Sequence, residues 1–129
     1  MITKIAFVAH PTTDMGPMKS FYGDVLGLKQ NVDFGDMWAE YDAPDGKSIA
    51  LHPHMPDMVD TPAVYMALES DDIEADFARV KESGATIVKE TWTNEHEGKE
   101  ICKMAIVRDP EGHILMLHQM AAWRAEEQR

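Results

Sequence analysis

Six histidines, one cysteine and three tryptophans give this 129-residue chain its widest chemical range. Two of the histidines are placed alike. His52 closes the run Ala43-Pro44-Asp45-Gly46-Lys47-Ser48-Ile49-Ala50-Leu51-His52. His118 closes Asp109-Pro110-Glu111-Gly112-His113-Ile114-Leu115-Met116-Leu117-His118, 66 positions further on. Each lies two places beyond an apolar residue, Ala50 or Met116, and strand alternation puts both members of each pair on one face. Two imidazoles so placed offer ligand contacts, acid–base groups or relocated metal ligands. The bland alternative is a pair of strand-end histidines on a sheet rim, hydrogen-bonded or solvated. His10, His54, His96 and His113 fall near turns or a proline-rich stretch and are expected to be exposed. His52-Pro53-His54 is a weak metal motif, because neighbouring extended residues face opposite ways.

Trp38 and Trp92, if turned inward with Phe7 and Tyr65, make an aromatic cleft suited to a flat or cationic ligand. Otherwise they are core packing. Met37, Met104 and Met116 supply either an adaptable lining or core filler. Glu40 shares a face with Trp38 and is either a base among aromatics or a solvated strand residue. Cys102 becomes a nucleophile only if a base adjoins it. Nothing in its local sequence supplies one, so it is assigned to packing.

The elements that must position these groups repeat. Residues 2–9 are apolar and β-prone. Asp14 suits an N-cap and Pro17 a first helical turn. Met18, Phe21, Tyr22, Val25 and Leu26 recur on one helix face, and Gly27 closes it. Strand candidates at 28–34 and 37–43 precede the Pro-Asp-Gly turn and the strand ending at His52. The second half reads likewise: a strand at 63–69, a cap at Ser70 or Asp71, and Ile73, Phe77 and Val80 on one helix face closed by Gly84. Strands at 85–92 and 100–107 then lead to the Pro-Glu-Gly turn and a last strand. Each half is β-α-β-β-β. Module one is 1–52, a proline-rich linker occupies 53–62, module two is 63–120, and 121–129 is a polar tail.

Composition narrows the function. Lys plus Arg is 12 against 23 Asp plus Glu, a net charge of −11, which speaks against a nucleic-acid partner. No apolar run approaches the roughly 20 residues that span a bilayer, so no membrane is expected. A single cysteine suits a reducing, cytoplasmic setting.

A doubled β-α-β-β-β unit of this size, with Asp14, Phe21-Tyr22, Leu26-Gly27-Leu28 and Asp109-Pro110-Glu111-Gly112, resembles the vicinal oxygen chelate superfamily. That group includes glyoxalase I, extradiol dioxygenases, fosfomycin-resistance enzymes and bleomycin-resistance proteins. The resemblance implies an α+β fold: two tandem βαβββ modules forming curved mixed sheets around a cleft, with helices packed outside. It also implies where a divalent ion would be held, on the first and last strands of each module. Those positions are Phe7, Ala50, Tyr65 and Met116 in this chain, and Met116 stands where the metal enzymes carry Glu. None supplies a suitable donor for a hard divalent ion except the rarely used phenol. By resemblance the chain is nearer the metal-free, bleomycin-resistance-like branch, with no cofactor. The expected ligand cleft is Phe7, Trp38, Glu40, Ala50, His52, Tyr65, Trp92, Met104, Met116 and His118, taking a small molecule, in a protein expected to form a homodimer. The alternative is a lyase, isomerase or dioxygenase-like enzyme. It would be metal-independent, using Glu40, Tyr65 or the histidines, or would have a relocated metal site using His52 and His118. A third class, a dimeric interaction module, has no sequence feature that names its partner.

Overall fold

The two Pro-acid-Gly turns fold the same way. The Gly46 N–H donates to the Ala43 carbonyl and the Gly112 N–H to the Asp109 carbonyl, both at 2.9 Å. Gly46 and Gly112 have φ of 85° and 90°, a left-handed conformation that glycine adopts without a Cβ clash. In each turn the residue after the glycine returns a carbonyl to the first turn residue, Lys47 to Ala43 and His113 to Asp109. A turn followed by a left-handed glycine is a common three-residue hairpin.

The computed structural model describes residues 1–55 and 63–127. The element order is β1 (Ile2–Thr12), α1 (Met15–Ser20), β2 (Lys29–Asp33), β3 (Ala39–Asp42), β4 (Ser48–Pro53), β5 (Tyr65–Ser70), α2 (Ile73–Glu82), β6 (Ile87–His96), β7 (Lys99–Arg108), β8 (Ile114–Met120) and α3 (Ala122–Glu127). This is α+β with the βαβββ unit used twice. Two compact units result, one of residues 6–66 and one of 1–5 with 67–129. Of the proline-rich stretch, residues 56–62 lie outside the described residues; Pro53 ends β4. The polar tail begins as α3.

In the unit of 6–66 the strand order is β2-β3-β4-β1. β1 and β4 run parallel, with Ala9 beside Ala50 and Pro11 beside His52. β3 pairs antiparallel with β4, Glu40 opposite Ala50 and Ala39 opposite Leu51. Met15, Ala39, Tyr41 and Leu51 form the core, with Met18, Tyr22 and Ile49 packed against it. α1 therefore covers the face that carries Leu51, leaving Ala50 and His52 on the other.

The helix here differs from its sequence pattern. Asp14 stands at the N-cap, but its side chain caps nothing; the Thr12 hydroxyl accepts the Asp14 N–H instead, at 3.2 Å. After Ser20 the chain widens into a π-helical turn, Phe21–Val25, closed by the Leu26 N–H donating to the Phe21 carbonyl at 2.9 Å. Widening the turn carries later residues off the original face. Phe21, Val25 and Leu26, expected to pack, are 47%, 70% and 52% exposed.

In the other unit the order is β5-β8-β7-β6. β6 and β7 are each ten residues long. They are joined by Glu97 and Gly98, both at positive φ, the requirement of a tight two-residue hairpin. α2 packs Ile73 and Phe77 on Ala105, Val107 and Leu117. Burying two such side chains contributes roughly 1.5–3 kcal/mol each. The cap is Asp72, one place beyond Asp71 and two beyond Ser70, the expected caps; its carboxylate accepts the Ala75 N–H at 3.2 Å. Ser70 instead accepts the Asp72 N–H and donates to the buried Asp76. Among the described residues no helix is long and apolar enough to cross a membrane.

Candidate functional site

Because α1 takes the Leu51 face, the opposite face of the 6–66 unit collects six of the ten expected residues. Phe7 meets Trp38 edge-on, ring centroids 5.4 Å apart. Trp38 stacks on His52 at 5.3 Å with 4° between the planes. The Trp38 Nε1–H donates to Glu40 Oε2 at 2.8 Å, so Glu40 is neither free in solvent nor an unpartnered base. Ala50 lies opposite Glu40 in the ladder and beside Ala9. Tyr65, from the start of β5, reaches His52 Nε2 at 2.9 Å.

The His52 ring is defined by its two partners. Nδ1 lies 2.7 Å from the Pro53 carbonyl oxygen, which can only accept, so Nδ1 carries the proton. Burial disfavours the charged ring and pulls its pKa below the ordinary value, against the Pro53 hydrogen bond. In the neutral ring Nε2 is an acceptor, and the Tyr65 O–H donates to it. Burial also pushes the Tyr65 phenol well above its usual range. The result is a neutral, hydrogen-bonded hydroxyl–imidazole pair. His52 is fully buried. The rim position is therefore corrected: both ring nitrogens are satisfied internally and the ring is stacked on Trp38.

The other four expected residues lie in the second unit. Trp92 is opposite Met104, and Met104 opposite His118, so the three form one row across β6, β7 and β8. Met116 is opposite Ile106 on the same side. Since α2 packs on Ala105, Val107 and Leu117, this row lies on the face turned away from α2. Trp92 is half-buried beneath the Lys89 ammonium, 4.2 Å from the ring centroid. His118 is also corrected from rim to interior, being only 6% exposed. Its Nδ1 donates to Glu69 Oε1 at 2.6 Å, and Glu69 Oε2 accepts the Met120 N–H at 2.7 Å. Burial opposes the charged ring, but hydrogen bonds and charge from Cys102 and Glu69 outweigh it and raise His118 to about 9.

Other expectations are revised. His10 sits inside β1, half-buried, with its ring 6.4 Å from that of Tyr22; His54 is half-buried, whereas His96 and His113 are exposed as expected. Met37 is 59% exposed. Cys102 is buried as expected, yet it has the basic neighbour its local sequence did not supply. That neighbour, His118, comes from the facing strand. Glu69 was missed for the same reason.

The model of the Glyoxalase/Bleomycin resistance protein/Dioxygenase superfamily matches residues 4–117. The chain belongs to this superfamily. Among solved structures, a superfamily member from Vibrio splendidus 12B01 is 20% identical, with a TM-score of 0.70 over 92% of this chain and 100% of that one. The Mn(II)-bound glyoxalase from Novosphingobium aromaticivorans is 21% identical, TM-score 0.65, over 95% of this chain and 43% of that one. Homoprotocatechuate 2,3-dioxygenase from Arthrobacter globiformis is 20% identical, TM-score 0.68, over 93% of this chain and 37% of that one. The chain thus spans less than half of those last two proteins, and at such identities the likeness is one of fold. No curated protein matches the sequence.

The superfamily fold raises the question of a divalent ion, and the residues present do not fit one. Phe7, Ala50, Tyr65 and Met116 are all buried. A benzyl group and a methyl have no lone pair, a thioether is soft, and the Tyr65 oxygen carries a proton it gives to His52. Among the described residues no group of three or more His, Cys, Asp or Glu converges to hold a metal. Nor is a site relocated to the histidines supported, since both His52 ring nitrogens are already engaged.

Proposed function

We propose that this superfamily member binds a small aromatic or cationic molecule without a divalent ion. The observation that carries the reading is the row Phe7–Trp38–His52–Tyr65, which puts two aromatic side chains, a backbone-anchored imidazole and a phenol on the strand face away from α1. Two of the four family ligand positions belong to that row. Trp38 and Glu40, half-buried, are the members a ligand meets first. A flat ring extends the stack, and a cation is drawn by both the ring face and the carboxylate. Tryptophan fluorescence titration and thermal shift with a panel of aromatic cations test this, with and without chelator. A ligand at a hundred times its Kd stabilises by about 2.7 kcal/mol, and the shift is lost in Trp38→Ala. Stoichiometric manganese, zinc or iron in freshly purified, chelator-naive protein, or binding that needs such an ion, sinks the reading.

A second reading is favoured by the 2.9 Å contact between Tyr65 and the neutral His52 ring. A hydroxyl held against an imidazole can relay a proton, so a metal-independent lyase or isomerase uses the same face. Turnover that survives chelator and disappears in Tyr65→Phe distinguishes catalysis from binding. The reading also carries a reducing, cytoplasmic setting and a homodimer; light scattering at several concentrations checks the latter.

A further inference from the structure

β5, β7 and β8 bring together a group that the proposed binding face does not use. The β7–β8 register sets Met104 opposite His118 and Cys102 opposite Met120. Cys102 and His118 are therefore diagonal neighbours on one face, within side-chain reach, and donation from the His118 ring to the Cys102 sulfur helps hold the ring's proton. His118 in turn donates to Glu69, whose second oxygen is pinned by the Met120 N–H. Thiol, imidazole and carboxylate stand in series on three adjacent strands. An ionic pair buried this deeply is costly for packing alone. A carboxylate that orients an imidazole, with that imidazole touching a thiol, is an arrangement that activates sulfur.

We propose that Cys102, His118 and Glu69 form a reactive site that adds the Cys102 sulfur to a small, flat, uncharged α,β-unsaturated carbonyl compound. The surroundings on this face, Met104, Met116 and Trp92, are apolar or aromatic, which favours an uncharged flat reactant. In the step the sulfur pair forms a bond to the β-carbon and the alkene π pair moves toward the carbonyl oxygen. The protonated His118 ring gives a proton to the α-carbon and takes back the one the thiol releases, so it ends as it began. An S–H bond and a π bond are exchanged for a C–S and a C–H bond, so nothing leaves and no oxidant or reductant is consumed. Cys102 and His118 touch the reactant; Glu69 is a positioning residue that acts through His118.

N-Ethylmaleimide is the probe, followed by intact mass on the full chain, whose single cysteine limits labelling to one thiol adduct. The folded protein reacts faster than the same protein in denaturant, on the order of tenfold, although Cys102 is only 4% exposed. His118→Asn and Glu69→Gln each bring the folded rate to or below the unfolded one, while Glu69→Asp, which keeps the carboxylate, retains part of the gain. Circular dichroism verifies that each variant is folded; if Glu69→Gln is not, the wild-type ratio and His118→Asn still decide. Labelling only in denaturant identifies an inert packed thiol and overturns the proposal, as does a folded rate unchanged in both variants. Neither result bears on ligand binding at Trp38, so the two readings fail separately.

Discussion

The His118–Glu69 pair makes the stability of this protein depend on alkaline pH. His118 is raised from the ordinary 6.5 to about 9 by Cys102 and Glu69, which overcome its burial. The folded ring keeps its proton where the unfolded ring has released it. Its contribution is therefore complete below pH 6.5 and is lost as pH rises through 9. The difference corresponds to roughly 3 kcal/mol, a large part of the stability of a small domain. With a urea m-value of about 1.5 kcal/mol/M, the denaturation midpoint falls by about 2 M between pH 6.5 and 9.5. The chain's amino group, raised by hydrogen bonds to Asp71 and Asp76, drifts in the same direction, so the decisive quantity is a difference. Urea titrations of wild type and His118→Gln at five pH values isolate the ring: the variant loses most of the slope. His113→Gln, at an exposed position, keeps it. A flat wild-type profile, or equal slopes in wild type and His118→Gln, refutes the reasoning.

Three further outcomes follow from the geometry. Tyr65→Phe removes the hydroxyl given to His52 Nε2 and leaves a fully buried acceptor unsatisfied, costing about 2 kcal/mol in chemical denaturation; an unchanged midpoint argues against the assigned tautomer. Because burial lowers His52, its contribution has the opposite sign to that of His118: it is present above pH 6.5 and falls away as pH drops toward the folded value, so acid sensitivity diminishes in His52→Phe. Gly112→Ala forces a Cβ into a φ of 90° and lowers stability by about 1 kcal/mol, and Gly46→Ala, at 85° in the repeated turn, gives a similar loss by thermal denaturation.

The sequence by itself determined the doubled βαβββ order, the two hairpins closed at Gly46 and Gly112, and the α2 core of Ile73 and Phe77. These rest on local rules: alternation along a strand, three-to-four periodicity along a helix, and a glycine wherever φ turns positive. The same alternation paired Trp38 with Glu40, Ala50 with His52 and Met116 with His118 on shared faces, and the family resemblance pointed to four ligand positions without a suitable donor set. Only the tertiary structure decided what those side chains do. The π-helical turn after Ser20 carried Val25 and Leu26 off the packed face, and one extra residue in a turn is invisible to a periodic count. Pairing across strands joined His52 to Tyr65 and set Cys102 and Glu69 beside His118, contacts between residues 13, 16 and 49 positions apart. Register fixes such meetings, and register depends on the whole sheet rather than on any one segment.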